Sequence, residues 1–309
     1  MAFGVKIYTK GVLLVGMADI DSNGKHGNPA YDAGLRIRDI ILAINGTEVN
    51  TVKEVTDILM NCEGKPLSFQ VQREEAILEY QVTPTLCKDG IYKAGIWIRD
   101  CTAGIGTITY IDPDTLSFAG LGHGICDVDT GSLMPMNYGT VSGATITGIV
   151  PGKVGTPGEL KGYFSSDKIG ILTGNTPCGV FGTLNKLPET LGEAIPIGFK
   201  NEVHEGNAEI ICTDANNEVK SYQVKITDVS HGSEETRNFV LQVTDASLLA
   251  ATGGIVQGMS GSPVIQDGRL IGAVTHVLIN DPTKGYGIFI ENMLGKTPEN
   301  ISDTTDTAA

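Results

Sequence analysis

The chain has 309 residues, 41% of them apolar and 19% charged, which is the make-up of a globular protein with room for about two domains of roughly 150 residues each. With 22 Lys and Arg against 36 Asp and Glu, the formal net charge is −14, and nonspecific attraction to nucleic-acid phosphates or anionic lipid is excluded. Gly is abundant at 40 residues, Pro is only 13, and the glycines follow no period of three, so disorder and a collagen helix are excluded too.

Apolar runs such as Val12 to Val15 and Ile40 to Ile44 fall far short of the roughly 18 residues of a membrane helix. No basic segment followed by an apolar core opens the chain, so an export signal is not expected in this sequence. Cys62, Cys87, Cys101, Cys126, Cys178 and Cys212 include no C-x-x-C pair, which argues against a zinc site and for reduced thiols packed as small apolar residues.

In chain order, Gly11 to Gly16 and Asp39 to Ile44 read as buried strands, and Asn45-Gly46 after the second is a strong turn signal. Thr51 to Met60 reads as a short amphipathic helix. Val52, Val55, Leu59 and Met60 share one face, and Thr51 and Glu54 stand at capping-box spacing. Leu67 to Val71 and Ile77 to Val82 read as further strands. From about residue 90 the grammar changes. Ile96 to Arg99, Gly106 to Ile111, Thr145 to Val150, Lys168 to Leu172, Ala208 to Cys212, Tyr222 to Thr227, Asn238 to Val243, Pro263 to Gln266, Leu270 to Val277 and Tyr286 to Ile290 are strand candidates parted by turn residues. A boundary near Pro84 to Gly90 divides the chain into 1–88 and 89–309, and about 296–309 reads as a flexible tail.

The stretch Asn28-Pro29-Ala30-Tyr31-Asp32-Ala33-Gly34-Leu35-Arg36-Ile37-Arg38-Asp39-Ile40-Ile41-Leu42-Ala43-Ile44-Asn45-Gly46 resembles the signature of a protease-associated PDZ domain, with Arg38 where that family usually has Gly. Such domains bind an extended peptide as an added strand beside a helix. The resemblance implies a groove formed by Leu13, Leu14 and Val15 with Val55 and Leu59.

Gly258-Met259-Ser260-Gly261-Ser262-Pro263 resembles the nucleophile loop of chymotrypsin-like serine proteases. A serine nucleophile needs a tight turn whose N–H groups converge on the developing oxyanion, and by the template those donors are Gly258 and Ser260. Ser262, directly before Pro263, is the weaker candidate. The base must titrate near neutrality, which leaves His26, His123, His204, His231 and His276. Only His123 is framed by glycines, in Gly120-Leu121-Gly122-His123-Gly124, and it precedes the serine as in the chymotrypsin order. For the acid, Asp127, Asp129, Asp167, Asp214, Asp228 and Asp245 all qualify by order. Asp127 also suits a local turn, and Asp245 suits the N-cap of a short helix ending at Gly253.

Taken in order, the PDZ signature, Gly95-Ile96-Trp97-Ile98-Arg99-Asp100 to Gly104-Ile105-Gly106, Gly-Leu-Gly-His-Gly and Gly-Met-Ser-Gly-Ser-Pro resemble the SpoIVB peptidase family. The resemblance implies a mainly β protein, a small α+β PDZ domain followed by a chymotrypsin-like double β-barrel, with a triad of His123, Asp245 and Ser260. It implies a self-cleaving sporulation serine endopeptidase that cuts a SpoIVFA-like regulatory membrane protein in the space between the forespore membranes and so triggers pro-sigma-K processing. The family carries an N-terminal membrane or signal segment, so truncation or processing of this chain is expected. A PDZ peptide-binding adaptor on a protease-like scaffold is the alternative. With no H-E-x-x-H and no P-loop, no metal and no cofactor is expected.

Overall fold

The computed structural model describes residues 1–22, 25–189, 192–232 and 234–296. The expected tail falls, from residue 297, outside the described residues. The elements are β1 (Ala2–Met17), β2 (Ile20–Ser22), β3 (Lys25–Gly27), α1 (Pro29–Ala33), β4 (Ile40–Ile44), β5 (Thr47–Glu48), α2 (Val52–Met60), β6 (Leu67–Arg73), β7 (Ala76–Val82), β8 (Thr85–Leu86), β9 (Tyr92–Lys93), β10 (Ile96–Ile111), β11 (Ser117–Gly120), β12 (Met136–Val150) and β13 (Gly158–Thr176). They continue with β14 (Gly179–Leu184), β15 (Gly206–Thr213), β16 (Val219–Val229), β17 (Phe239–Val243), α3 (Ala246–Thr252), β18 (Val256–Gln257), β19 (Pro263–Gln266), β20 (Arg269–Leu278), β21 (Asp281–Phe289) and α4 (Ile290–Leu294). The fold is mainly β, as expected. Among the described residues no helix is long and apolar enough to cross a membrane.

The chain forms two compact units, and they do not part at 88/89. One comprises Lys6–Ala103 with Ile125–Gly139, the other Met1–Val5, Gly104–Gly124 and Thr140 onward. The difference arises because β10 is continuous: Ile96 to Arg99 and Gly106 to Ile111, expected as separate strands, are one strand of 16 residues.

In the smaller unit β4 pairs antiparallel with β1 through Val12↔Ile41 and Leu13↔Ile40, and with β6 through Ile41↔Val71 and Ile44↔Phe69. Asn45 and Gly46, at φ 51 and 76, close the β4–β5 hairpin as the Asn-Gly signal predicts. Thr51 and Glu54 form the reciprocal capping box of α2, which buries Val55 and Leu59. Met60, expected on the same face, is 52% exposed because its position lies past the edge of that apolar stripe. Val12, Leu14, Ile41, Val55, Phe69 and Val71 share one core, each large side chain contributing about 1.5–3 kcal/mol on burial. Asp39 is buried but paired: Arg73 donates to both carboxylate oxygens at 2.7 Å, and the Arg36 amide adds a bond at 2.8 Å. Arg38 adopts φ 81, the left-handed conformation for which the family's usual glycine is suited, and its guanidinium donates to the Thr130 carbonyl at 2.9 Å.

In the larger unit β15, β16, β17, β21, β20 and β19 close into a barrel. Ile210, Val224, Ile226, Phe239, Leu241, Val264, Val274 and Phe289 fill its core. Asp267 and Gly268, at φ 50 and 74, turn the β19–β20 hairpin. Here β10 pairs with β11, β11 with β14 and β14 with β13, and β18 joins β13 in parallel. Successive pairings run β10–β11–β14–β13–β12–β1, and a further pairing joins β10 to β1. The last expected strand ends at Phe289, since Ile290 already opens α4.

Candidate active site

The serine loop lies between β18 and β19 and is anchored by β10. Thr107 donates its amide to the Ser260 carbonyl at 2.9 Å and its hydroxyl to the Gly258 carbonyl at 3.0 Å, while the Thr109 hydroxyl donates to the Gly261 carbonyl at 2.8 Å. The amides of Met259, Gly261 and Ser262 donate to the carbonyls of Val256, Val274 and Met259. Those bonds leave out the amides of Gly258 and Ser260, the two expected for an oxyanion. Gly258, at φ 100, supplies a turn that other residues adopt only with strain.

The histidine loop follows β11. Leu121 and Gly122 both take φ 67, so two consecutive left-handed residues swing the chain before His123, and a buried non-glycine residue in that conformation is a store of local strain. Gly261 joins the two loops. At φ 90, a Cβ there would stand 2.0 Å from the Thr107 carbonyl oxygen and 2.4 Å from the Leu121 nitrogen, so only glycine permits this approach.

His123 is half-buried, and its Nδ1 is 2.9 Å from the Gly124 carbonyl oxygen. A carbonyl only accepts, so Nδ1 carries the proton, and among the described residues no hydrogen bond occupies the Nε2 lone pair. Burial lowers the His123 pKa below its ordinary 6.5, against the opposing Gly124 bond. The Ser260 hydroxyl donates to the Thr275 carbonyl at 2.8 Å, and among the described residues no hydrogen bond joins it to His123.

Asp245 occupies the other role foreseen for it. Its carboxylate accepts from the amides of Ser247 at 2.9 Å and Leu248 at 3.0 Å, capping α3, which ends at Gly253 with φ 71. These bonds, the Ser247 hydroxyl first, hold its pKa below the ordinary carboxylate value. Among the described residues nothing pairs Asp245 with His123. In the same unit Asp214 is spent on Lys220 and its own turn, and Asp228 lies in β16. In the smaller unit Asp127 is buried, pairs with Arg99 and accepts from the Thr130 amide and hydroxyl, while Asp129 meets the same guanidinium at 2.7 Å. Burial works to raise the Asp127 pKa, but the Thr130 bonds and Arg99 outweigh it and leave it lowered.

His276, one of the five candidate bases and not framed by glycines, lies in β20. Its ring stands beside that of His123, with centroids 4.8 Å apart and planes inclined by 37°. His204 is exposed near Asp267, and His231 stacks on Phe289. Ser262, the weaker nucleophile candidate, is wholly buried with its hydroxyl unpartnered among the described residues.

The expected peptide groove is closed. Leu13, Leu14, Val55 and Leu59 are buried, and only Val15 is half-exposed. The start of β10 lies where an added strand is expected: Ile96 and Ile98 pack against the cluster holding Leu14, Val55 and Leu59, the Gly95 carbonyl accepts from the Ala18 amide at 3.0 Å, and the Asp100 carboxylate accepts from the Val52 amide at 2.8 Å. A cavity of about 770 Å³ remains at the end of α2, bordered by Thr56, Met60, Ile91 and Trp97.

Comparison with known proteins places these features in a family. The model of the SpoIVB peptidase S55 family matches residues 90–294, and that of a PDZ domain matches 20–73. The "Putative zinc metalloprotease LL2128" of Lactococcus lactis is 39% identical over 70 residues, 23% of this chain, and the chain spans only 16% of that relative's length. Among solved structures, the active form of the Rv3671c protease from Mycobacterium tuberculosis is 17% identical, with 63% of this chain and 72% of that one covered and a TM-score of 0.35. Deg5 is 15% identical, with 62% and 81% covered and a TM-score of 0.37. With the S55 match extending over more than half of its length, the chain belongs to the SpoIVB peptidase S55 family and carries a PDZ domain.

Proposed function

We propose that the chain is a serine endopeptidase in which Ser260 attacks a peptide carbonyl, His123 Nε2 takes the hydroxyl proton and returns it to the leaving amine, and the amides of Gly258 and Ser260 hold the oxyanion. The observation that carries this reading is the Gly261 joint, which seats the serine loop against the histidine loop while the neighbouring amides are spent elsewhere. The hydroxyl must turn from Thr275 toward His123 by a side-chain rotation. Since the His123 pKa lies below 6.5, the base is free at neutral pH and activity falls only on the acid side of that value. Family resemblance adds the finer reading: self-cleavage and cleavage of a SpoIVFA-like membrane protein between the forespore membranes, with triggering of pro-sigma-K processing. It also names Asp245 as the third residue, whose carboxylate must then leave the α3 cap to serve His123.

Intact-mass spectrometry over time on wild type beside Ser260→Ala tests the mechanism without a guessed substrate. Fragments in wild type alone are expected, with turnover in the variant lower by on the order of 10⁴ to 10⁶. Fragments in both would show that Ser260 is not the nucleophile. The Ser260 to Thr275 bond favours the second reading, an adaptor that binds peptide without cutting it, and that reading requires bound peptide with no new termini in wild type.

A further inference from the structure

A cation beside the site has no partner in the fold. Arg237, in the connection from β16 to β17, is exposed, and among the described residues its guanidinium makes no ion pair and no hydrogen bond. Carboxylates are not scarce, since Asp and Glu outnumber Lys and Arg by 36 to 22. Arg269, the other arginine of the same unit, donates to the Ile197 carbonyl at 3.3 Å and meets Glu202 at 3.9 Å. Glu235, two positions before Arg237, is spent on Lys296 at 3.1 Å.

The backbone on both sides of Arg237 is anchored at the site. The Thr236 and Tyr286 carbonyls both receive the Thr275 hydroxyl, at 3.3 and 3.2 Å, and the Thr275 carbonyl in turn holds the Ser260 hydroxyl. The Asn238 amide donates to the Gly287 carbonyl at 2.8 Å, and the Asn238 side chain donates to the Glu234 carbonyl at 2.7 Å. The Arg237 guanidinium lies over the Tyr286 ring, 5.2 Å from its centroid, which occupies its face and leaves its edge donors free. Its charge reaches the histidine side of the site: burial first, then His123, then Arg237 hold the His276 pKa down to about 4, and the His276 ring stands beside that of His123.

We infer that Arg237 is a specificity-determining residue of the peptidase site, selecting peptides that carry an Asp or Glu side chain close to the bond that is cut. The inference rests on the Ser260 and His123 reading above. A planar guanidinium fork matches a carboxylate with two parallel hydrogen bonds, and here the fork is already positioned by Tyr286 and by the anchored loop, so little ordering remains to be done when a peptide arrives.

The test uses the full chain and a pool of synthetic decapeptides, each with a single Asp at a varied position and a twin carrying Asn there, with new termini read by mass spectrometry. A fluorophosphonate, which forms a bond from the serine oxygen to phosphorus as fluoride departs and the base takes the hydroxyl proton, reports independently on the working site. In wild type the Asp member of the best-cut pair should have a kcat/KM about tenfold above that of its Asn twin, the scale of a charge-assisted hydrogen bond. The difference should lie in KM and shrink as salt rises. In Arg237→Gln the preference should vanish, and in Arg237→Glu a Lys twin should overtake the Asp member, a second reading should Arg237→Gln fail to fold. A preference for Asp that survives in either folded variant overturns the inference, as does a wild type that is labelled at Ser260 yet favours Asp at no position. If wild type is not labelled, or Ser260→Ala is labelled equally, the peptidase reading itself fails, an outcome distinct from both.

Discussion

The two units handle their backbones in opposite ways. The PDZ-bearing unit is built of well-capped helices and a tight Asn-Gly hairpin, and the edge at which a peptide strand would add is covered by the start of β10. The peptidase-type unit places left-handed residues at its site, Leu121 and Gly122 before His123 and Gly258 and Gly261 about Ser260, and its serine hydroxyl is held on the Thr275 carbonyl while the loop's bonds leave out the amides of Gly258 and Ser260. Within regular structure most backbone groups pair with one another, and those left over lie at sheet edges and helix ends. A catalytic loop must aim selected N–H groups at one point, and left-handed residues help to do that.

The comparison breaks most decisively at Gly261. In Gly261→Ala the added methyl meets backbone atoms that cannot yield, so Ser260 labelling by the fluorophosphonate should fall at least about 100-fold. Wild-type labelling in the folded variant would mean the two loops need no such contact. A sharper test of the other unit is a lock between Gly16 and Trp97, where a Cβ built on Gly16 stands 3.4 Å from the Trp97 Cβ, near the roughly 3.5–4.5 Å of a disulfide. With Gly16→Cys and Trp97→Cys oxidised, the start of β10 cannot leave, so any peptide capture by strand addition seen in wild type should vanish and return on reduction. Binding that survives oxidation would place the peptide on another surface. The smallest effect is expected at Arg38. Arg38→Gly relieves a left-handed residue, about 1–2 kcal/mol, but loses the Thr130 bond, about 0.5–1.5 kcal/mol, and leaves a freer unfolded chain. Denaturant unfolding should move by less than about 1 kcal/mol. A larger loss would show that the bond to Thr130 outweighs the strain.

Much of this was legible from local chemistry. Asn45-Gly46 and Asp267-Gly268 turn hairpins where their left-handed preference says they should, Thr51 and Glu54 cap α2, and Asp245 and Gly253 bound α3. Those signals are short-range, so a reader of the sequence can weigh them within a few residues. His276 was not legible. Its partner lies 153 positions away, and the periodicity of β20 marks its strand without marking its neighbour. The packing at the expected groove is long-range in the same way: nothing near Leu14 or Val55 announces that Ile96 and Ile98 pack against their cluster.

By itself, then, the sequence determined the mainly β character, the turns, the caps and the glycine-framed Ser260 and His123, because propensity and backbone conformation are set by a residue and its immediate neighbours. Tertiary structure alone decided that His276 stands against His123 and that β10 closes the groove. Each of these depends on which distant strands meet, and that is fixed by burying a whole core at once rather than by any local preference.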